Sequence, residues 1–286
     1  MRKKSVPYVL LIPQMLLTII FFIGLVTGIT QSLGVIPAFG LTEPTLKYYK
    51  EIFTRPEILN SVKYSLRIAL ISSAGATIIG VFFCAVFVMR GKASKGMMRI
   101  IQLPIVVPHV VVALFIINVF ASNGVLERIA YALGWIQDQQ QFPALLYQSN
   151  GIGVVLAYLW KEIPFIIYFV IVLMENINGR LGEAAVNLGA GAWTAFWKVT
   201  LPLCRKNICS GFLIIFVFAL GAYELPLLLG ATVPKALPIL AYQQYVYPDL
   251  RNRPYAMAVN GMIILISLIS ALVYFHLMLK KEGERS

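Results

Sequence analysis

Two groups of residues in this chain combine types and spacing that can do work. The first is Glu183-Ala184-Ala185, then Gly189, then Val199-Thr200-Leu201-Pro202, inside the stretch 178–207. The second is Tyr223-Glu224-Leu225-Pro226, with Trp160 standing in an earlier apolar run. Neither reads as a catalytic centre. No cluster of nucleophile, base and metal ligands accompanies them, Cys84, Cys204 and Cys209 form no CxxC pair, and His109 and His276 lie far apart in sequence. The chemistry of the first group is docking: a short amphipathic piece, too short to cross a bilayer and apolar on one face, fits a partner's cleft or lies at a membrane surface. The chemistry of the second is electrostatic. A carboxylate inside an apolar run costs about 3 kcal/mol on the mild insertion scale, so Glu224 either faces a bundle interior or watery cavity, or sits near an interface and packs.

Local rules predict the elements that carry these residues. Asn178 is expected to cap a short helix, Leu181, Ala184, Ala185 and Leu188 then share a stripe, and Gly189 takes the left-handed position that stops it. A second piece, Ala192 to Val199, carries Trp193, Phe196 and Trp197. Further along, Pro226 removes a donor from the carbonyl of Ala222, which predicts unwound backbone beside Glu224.

The framework is a membrane. Hydrophobic residues make up 59% of the 286 positions and charged residues 13%, with a mean hydropathy of +0.80, too apolar for a soluble globular domain. Six runs reach the roughly 20 residues that about 30 Å of hydrocarbon requires: Tyr8–Thr30, Val62–Met89, Met98–Phe120, Ile152–Met174, Ile208–Leu229 and Tyr255–Leu279. The fold class is therefore an all-α membrane protein with six transmembrane helices and a cytoplasmic helical element between spans four and five, all within one domain over 1–286. The first run is too long for a secretory signal and lacks a cleavage site, so it is expected to be retained.

The net charge of +12 does not indicate nucleic acid, because the cations bracket apolar runs instead of forming a stripe. With a cytoplasmic N-terminus, fourteen fall inside (Arg2, Lys3, Lys4, Arg90, Lys92, Lys95, Arg99, Arg180, Lys198, Arg205, Lys206, Lys280, Lys281, Arg285). Seven fall outside (Lys47, Lys50, Arg55, Arg128, Lys235, Arg251, Arg253). The bias predicts both termini and the Glu183 stretch in the cytoplasm. Between spans one and two, Pro44, Tyr48, Tyr49 and Phe53 suggest a short surface helix. Ser72, Ala76, Gly80 and Cys84 make a small-residue stripe for close helix packing. Pro104 and Pro108 each disturb the third span, and His109 beside them either lines a pathway or packs. Lys161 and Glu162 point about 100° apart and need not pair.

Glu-Ala-Ala, three residues, Gly, nine residues, an aliphatic, one residue and Leu-Pro resembles the cytoplasmic coupling loop of permease subunits of bacterial type I ATP-binding-cassette importers. Trp160 followed by Pro164-Phe165 is similar to the same family. Asn187-Leu188-Gly189-Ala190, and Gly221 through Gly230 around Glu224, resemble its branch for polyamines, oxyanions, iron and thiamine. The resemblance implies coupling roles for Glu183, Ala184, Ala185, Leu188 and Gly189, and pathway roles for Glu224, Tyr223 and then Trp160. It implies two ATPase subunits, a second permease and an extracytoplasmic solute-binding protein as partners, in a bacterial cytoplasmic membrane. No GxxxxGK[ST] loop occurs, so ATP and Mg belong to the partner and this chain holds no cofactor and is no enzyme. The expected solute is a polyamine such as spermidine or putrescine, with a phosphonate, another oxyanion, iron or thiamine as alternatives. A stand-alone secondary transporter is the competing class, and it needs more ionisable residues across the spans than Lys161, Glu162 and Glu224 supply.

Overall fold

A computed structural model describes residues 6–90 and 94–283. Thirteen α-helices occur among them: α1 (Val6–Ser32), α2 (Lys47–Thr54), α3 (Pro56–Met89), α4 (Lys95–Val106), α5 (His109–Phe120), α6 (Val125–Ala132), α7 (Ile152–Ile177), α8 (Glu183–Asn187), α9 (Ala192–Ala195), α10 (Leu201–Gly221), α11 (Glu224–Leu229), α12 (Leu237–Tyr245) and α13 (Arg253–Gly283). The described residues hold no strand beyond an isolated bridge between Ile36 and Leu41.

Among the described residues, six runs are long and apolar enough to cross a membrane: Leu10–Ser32, Pro56–Met89, His109–Ala132, Ile152–Asn187, Ala192–Gly221 and Leu250–Leu277. The third and fifth differ from expectation. Pro108 forces Val107 into extended backbone (φ −67°, ψ 129°), so the third run is not continuous over Met98–Phe120: α4 ends at Val106 and α5 begins at His109. Pro104 is accommodated inside α4. The fifth run ends at Gly221 and Ala222 is extended (ψ 139°), as the missing Pro226 donor predicts. Of the cations counted for orientation, Arg2, Lys3, Lys4, Lys92 and Arg285 lie outside the described residues.

The chain forms two compact units. The first comprises 1–59 and 240–265. In it the expected surface helix is α2, with Ile52 buried and Phe53 exposed. The Tyr49 hydroxyl donates to Ser32 Oγ (2.9 Å), Tyr255 bonds Glu51, and the Arg55 guanidinium lies 4.6 Å over the Tyr255 ring.

The second unit, 60–239 with 266–286, holds both residue groups singled out by the sequence. Its core joins α3, α7 and α10 through Ala76, Ala85, Ile166, Val170, Met174, Phe196 and Ile215. The small-residue stripe is what brings α3 onto α7: Ser72, Ala76 and Cys84 are fully buried, and Cys84 Sγ lies 3.7 Å from the carbonyl of Ile167.

Candidate functional site

The first site is the elbow between α7 and α10. Asn178 does not cap a new helix. Its backbone is helical (φ −64°, ψ −43°), so α7 runs without a stop through a widened π turn, Asn178–Gly182, into α8. A second π turn, Phe196–Thr200, fuses α9 to α10. Such turns place one extra residue in the helix and recur at functional positions. The two turns lock together: the Thr200 hydroxyl donates to Asn178 Oδ1 (3.1 Å), and Thr200 and Gly182 are buried. A Cβ on Gly182 would overlap Asn178 Oδ1. Both arms of the elbow are thus rigid continuations of long helices.

The stop at Gly189 has the expected form. Gly189 has φ +96°, its N–H donates to Val186 O (2.9 Å) and the Ala190 N–H donates to Ala185 O (3.0 Å). These are the paired bonds of a Schellman stop. Around it, apolar side chains are left partly or largely exposed: Leu188 is 89% exposed, while Leu181, Trp193 and Trp197 are about half exposed. Phe196, between the two tryptophans, is 1% exposed and anchors α9 in the core. Glu183 lines a hollow of about 420 Å³ with Val88, Met89 and Val186, and Ala184 is exposed while Ala185 is half-buried.

The second site lies where the third and fifth runs break. His109 is the first residue of α5 and Glu224 the first of α11, and His109 Nδ1 lies 3.3 Å from Glu224 Oε2. The His109 ring stacks on Phe218 of α10 (5.6 Å). Lys161 of α7 donates from Nζ to the Val107 carbonyl (2.6 Å), an acceptor left over where α4 ends. Glu224 keeps 54% of its side chain exposed, and Tyr223 sits in the break itself. Helix starts brought together where spans are interrupted, with polar groups collected there, make a polar cluster among apolar helices.

Of the residues predicted for this site, Glu224 and Tyr223 are neighbours at the break, whereas Trp160 packs at a tilt against Phe115 of α5 (5.7 Å between ring centroids). Lys161 and Glu162 do not pair: Glu162 is buried on the other side of α7, toward Ser72 of α3. His109 proves to be both packed and part of the polar cluster. Lys161, Gly182 and Thr200 were not anticipated in these places. The signals available were Pro108, which marks orphan carbonyls close to Lys161, and the glycine preceding Glu183.

Comparison with known proteins adds the following. Residues 76–280 match a family described as binding-protein-dependent transport system inner membrane component. The chain is 25% identical over 298 residues, 98% of this chain and 99% of the other, to a probable ABC transporter permease protein of Pyrococcus horikoshii. It is 24% identical over 231 residues to a molybdenum transport system permease protein of Haemophilus influenzae, covering 79% of this chain and 97% of that one. It is 23% identical over 244 residues to a putrescine transport system permease protein of Escherichia coli, covering 84% and 79%. Among solved structures, a chain of a bacterial alginate ABC transporter in complex with its pentasaccharide-bound periplasmic protein superposes with a TM-score of 0.77 at 18% identity, over 96% of this chain and 94% of that one.

Proposed function

The chain belongs to the family of binding-protein-dependent transport system inner membrane components, and we propose that it lines a solute pathway whose opening is driven through the elbow by an ATPase subunit. It is a permease component of an ABC importer and a membrane protein with six candidate spans among the described residues. Two copies, or this chain and a homologue, enclose the pathway as one transmembrane domain each. Both termini and the elbow lie in the cytoplasm of a bacterial cell, and a solute-binding protein delivers from the other side.

The observation that carries this reading is the rigidity of the elbow combined with its bare apolar surface. Leu188 is 89% exposed among the described residues, and a large exposed aliphatic at a stopped helix end is what a partner's cleft buries. Because both arms continue into α7 and α10 through locked π turns, a push on α8 moves those helices as bodies rather than bending a loop. Glu183, Ala184 and Ala185 supply the close approach, and Gly189 fixes the exit direction. At the other end, Glu224, His109 and Tyr223 meet the solute, and Lys161 holds the break open by occupying the Val107 carbonyl. When the ATPase pair closes, spans three, four and five exchange one opening for the other.

A polyamine is the preferred solute. The half-exposed Glu224 carboxylate suits an ammonium group, and a putrescine permease is among the relatives. An oxyanion is the second reading, favoured by the molybdenum relative and by the Lys161 ammonium beside the break. The chain purified from native membranes is expected to bring ATPase subunits with it. Reconstituted with them and the binding protein, it is expected to take up labelled putrescine or spermidine on ATP addition and to leave sulfate and molybdate outside. Uptake of molybdate or sulfate instead selects the second reading. Uptake driven by an ion gradient without ATP contradicts both.

A further inference from the structure

Opposite to the elbow on α3, its starting turns build a polar concavity that neither the elbow nor the broken-span site uses. Asn60, Lys63, Tyr64 and Arg67 of α3 line a hollow of about 280 Å³, closed by Ser149 of one loop and Pro234 of another. Positions 60, 63/64 and 67 fall on one helical face, so both cations address the same space. No carboxylate lines this hollow, and none forms an ion pair with Lys63 or Arg67 among the described residues.

The walls are held by their own bonds. Arg67 Nη2 donates to the Ser149 carbonyl, and its guanidinium lies 5.9 Å from the Tyr64 ring centroid. The Ala231 N–H donates to the Tyr64 hydroxyl (3.4 Å), and the Leu237 N–H donates to Ser65 Oγ (2.8 Å). Tyr147, held at φ +60°, donates its N–H to Leu229 O (3.1 Å), the last residue of α11. Both loops are therefore tied to α3 or to the end of α11. Lys and Arg are donors only, and the Ser149 carbonyl occupies one nitrogen of a guanidinium that carries five N–H groups. A positive, donor-rich and preformed hollow selects an oxygen anion.

We propose that this pocket binds an oxyanion group, a carboxylate, sulfate or phosphate, held by Lys63 and Arg67. Bound there, the group bridges α3 to the loop that leaves α11, the helix beginning at Glu224. Occupancy therefore stabilises one position of the α11 loop relative to α3. The binding itself is independent of the importer reading, but the meaning of that link, solute or docking partner sensed at the gate, rests on it.

The test uses the reconstituted transporter with its ATPase subunits in lipid nanodiscs. The rate of Lys63 acetylation by acetic anhydride is followed by mass spectrometry in sodium sulfate, sodium phosphate or sodium chloride of equal ionic strength. Sulfate or phosphate is expected to slow the reaction at least fivefold against chloride, and Arg67→Gln is expected to abolish that protection while other lysines react as before. If the free anions give none, and the purified solute-binding protein protects Lys63 in a way lost in high salt and in Arg67→Gln, the bound group is an acidic side chain of that protein. Equal rates in all conditions, or equal protection by chloride, overturn the proposal. ATP-driven uptake measured on the same preparation reconstituted into sealed proteoliposomes separates the two readings: protection without uptake removes the importer reading and leaves the pocket.

Discussion

The elbow and the broken-span site both adjoin α7 and α10, yet different groups dominate each. At the elbow Thr200 is paired with Asn178 inside, while Leu188 is 89% exposed and Trp193 and Trp197 about half exposed. At the break the polar groups gather, with His109 against Glu224 and Lys161 on the Val107 carbonyl. Bare apolar surface gains from excluding water with a protein partner, whereas a collected set of charges replaces the hydration of a polar solute. Rigid helices joining the two let a force at one end reach the other.

That contrast breaks most sharply at Leu188. Leu188→Asp puts a charge where the partner's cleft is expected, and hot-spot losses run about 2–4 kcal/mol, at least about thirtyfold in affinity. The ATPase subunit should no longer co-purify, with the chain still in the membrane. Lys161→Met should act at the opposite end. It leaves the Val107 carbonyl without its charged donor, a loss of about 1.5–3 kcal/mol, seen as at least tenfold slower uptake with ATPase binding retained. If Lys161→Met instead dissociates the ATPase, the two sites are not separate.

Gly189→Val strains a residue at φ +96° by about 1–2 kcal/mol. Since a Cβ there meets nothing within 4 Å, the cost is conformational and not steric. Uptake should fall about tenfold while membrane levels stay normal, and normal uptake would contradict the coupling role. The smallest effect is expected from Glu224→Gln, which keeps the contact with His109 and removes the charge. For a half-exposed group about 1 kcal/mol or less is at stake, so KM for a polyamine should rise up to about fivefold. Unchanged uptake together with unchanged solute-stimulated ATPase activity would reduce Glu224 to packing.

What the sequence made legible follows the range of the interactions. The stop at Gly189, the unwinding before Pro226 and the surface helix around Tyr48 depend on residues within one or two turns, and each stands where expected. The membrane runs follow from composition alone. Asn178 was misplaced because an N-cap presupposes that a helix starts there, whereas α7 continues through a widened turn in which the Asn178 side chain accepts from Thr200 across the elbow. The His109–Glu224 and Lys161–Val107 contacts join residues remote in sequence, which no local periodicity specifies. Pro108 announced the break in the third span, but not that a lysine from α7 would fill it.

The most direct measurement places a single cysteine at Leu188 in an otherwise cysteine-free chain, inside membrane vesicles of known orientation, and treats it with a short bifunctional thiol reagent. A cross-link to the ATPase subunit, with labelling by an impermeant reagent only from the cytoplasmic face, is the predicted result. Labelling from the outer face, or a Leu188→Cys chain that reaches no ATPase while uptake continues, would contradict the elbow as the point where force enters.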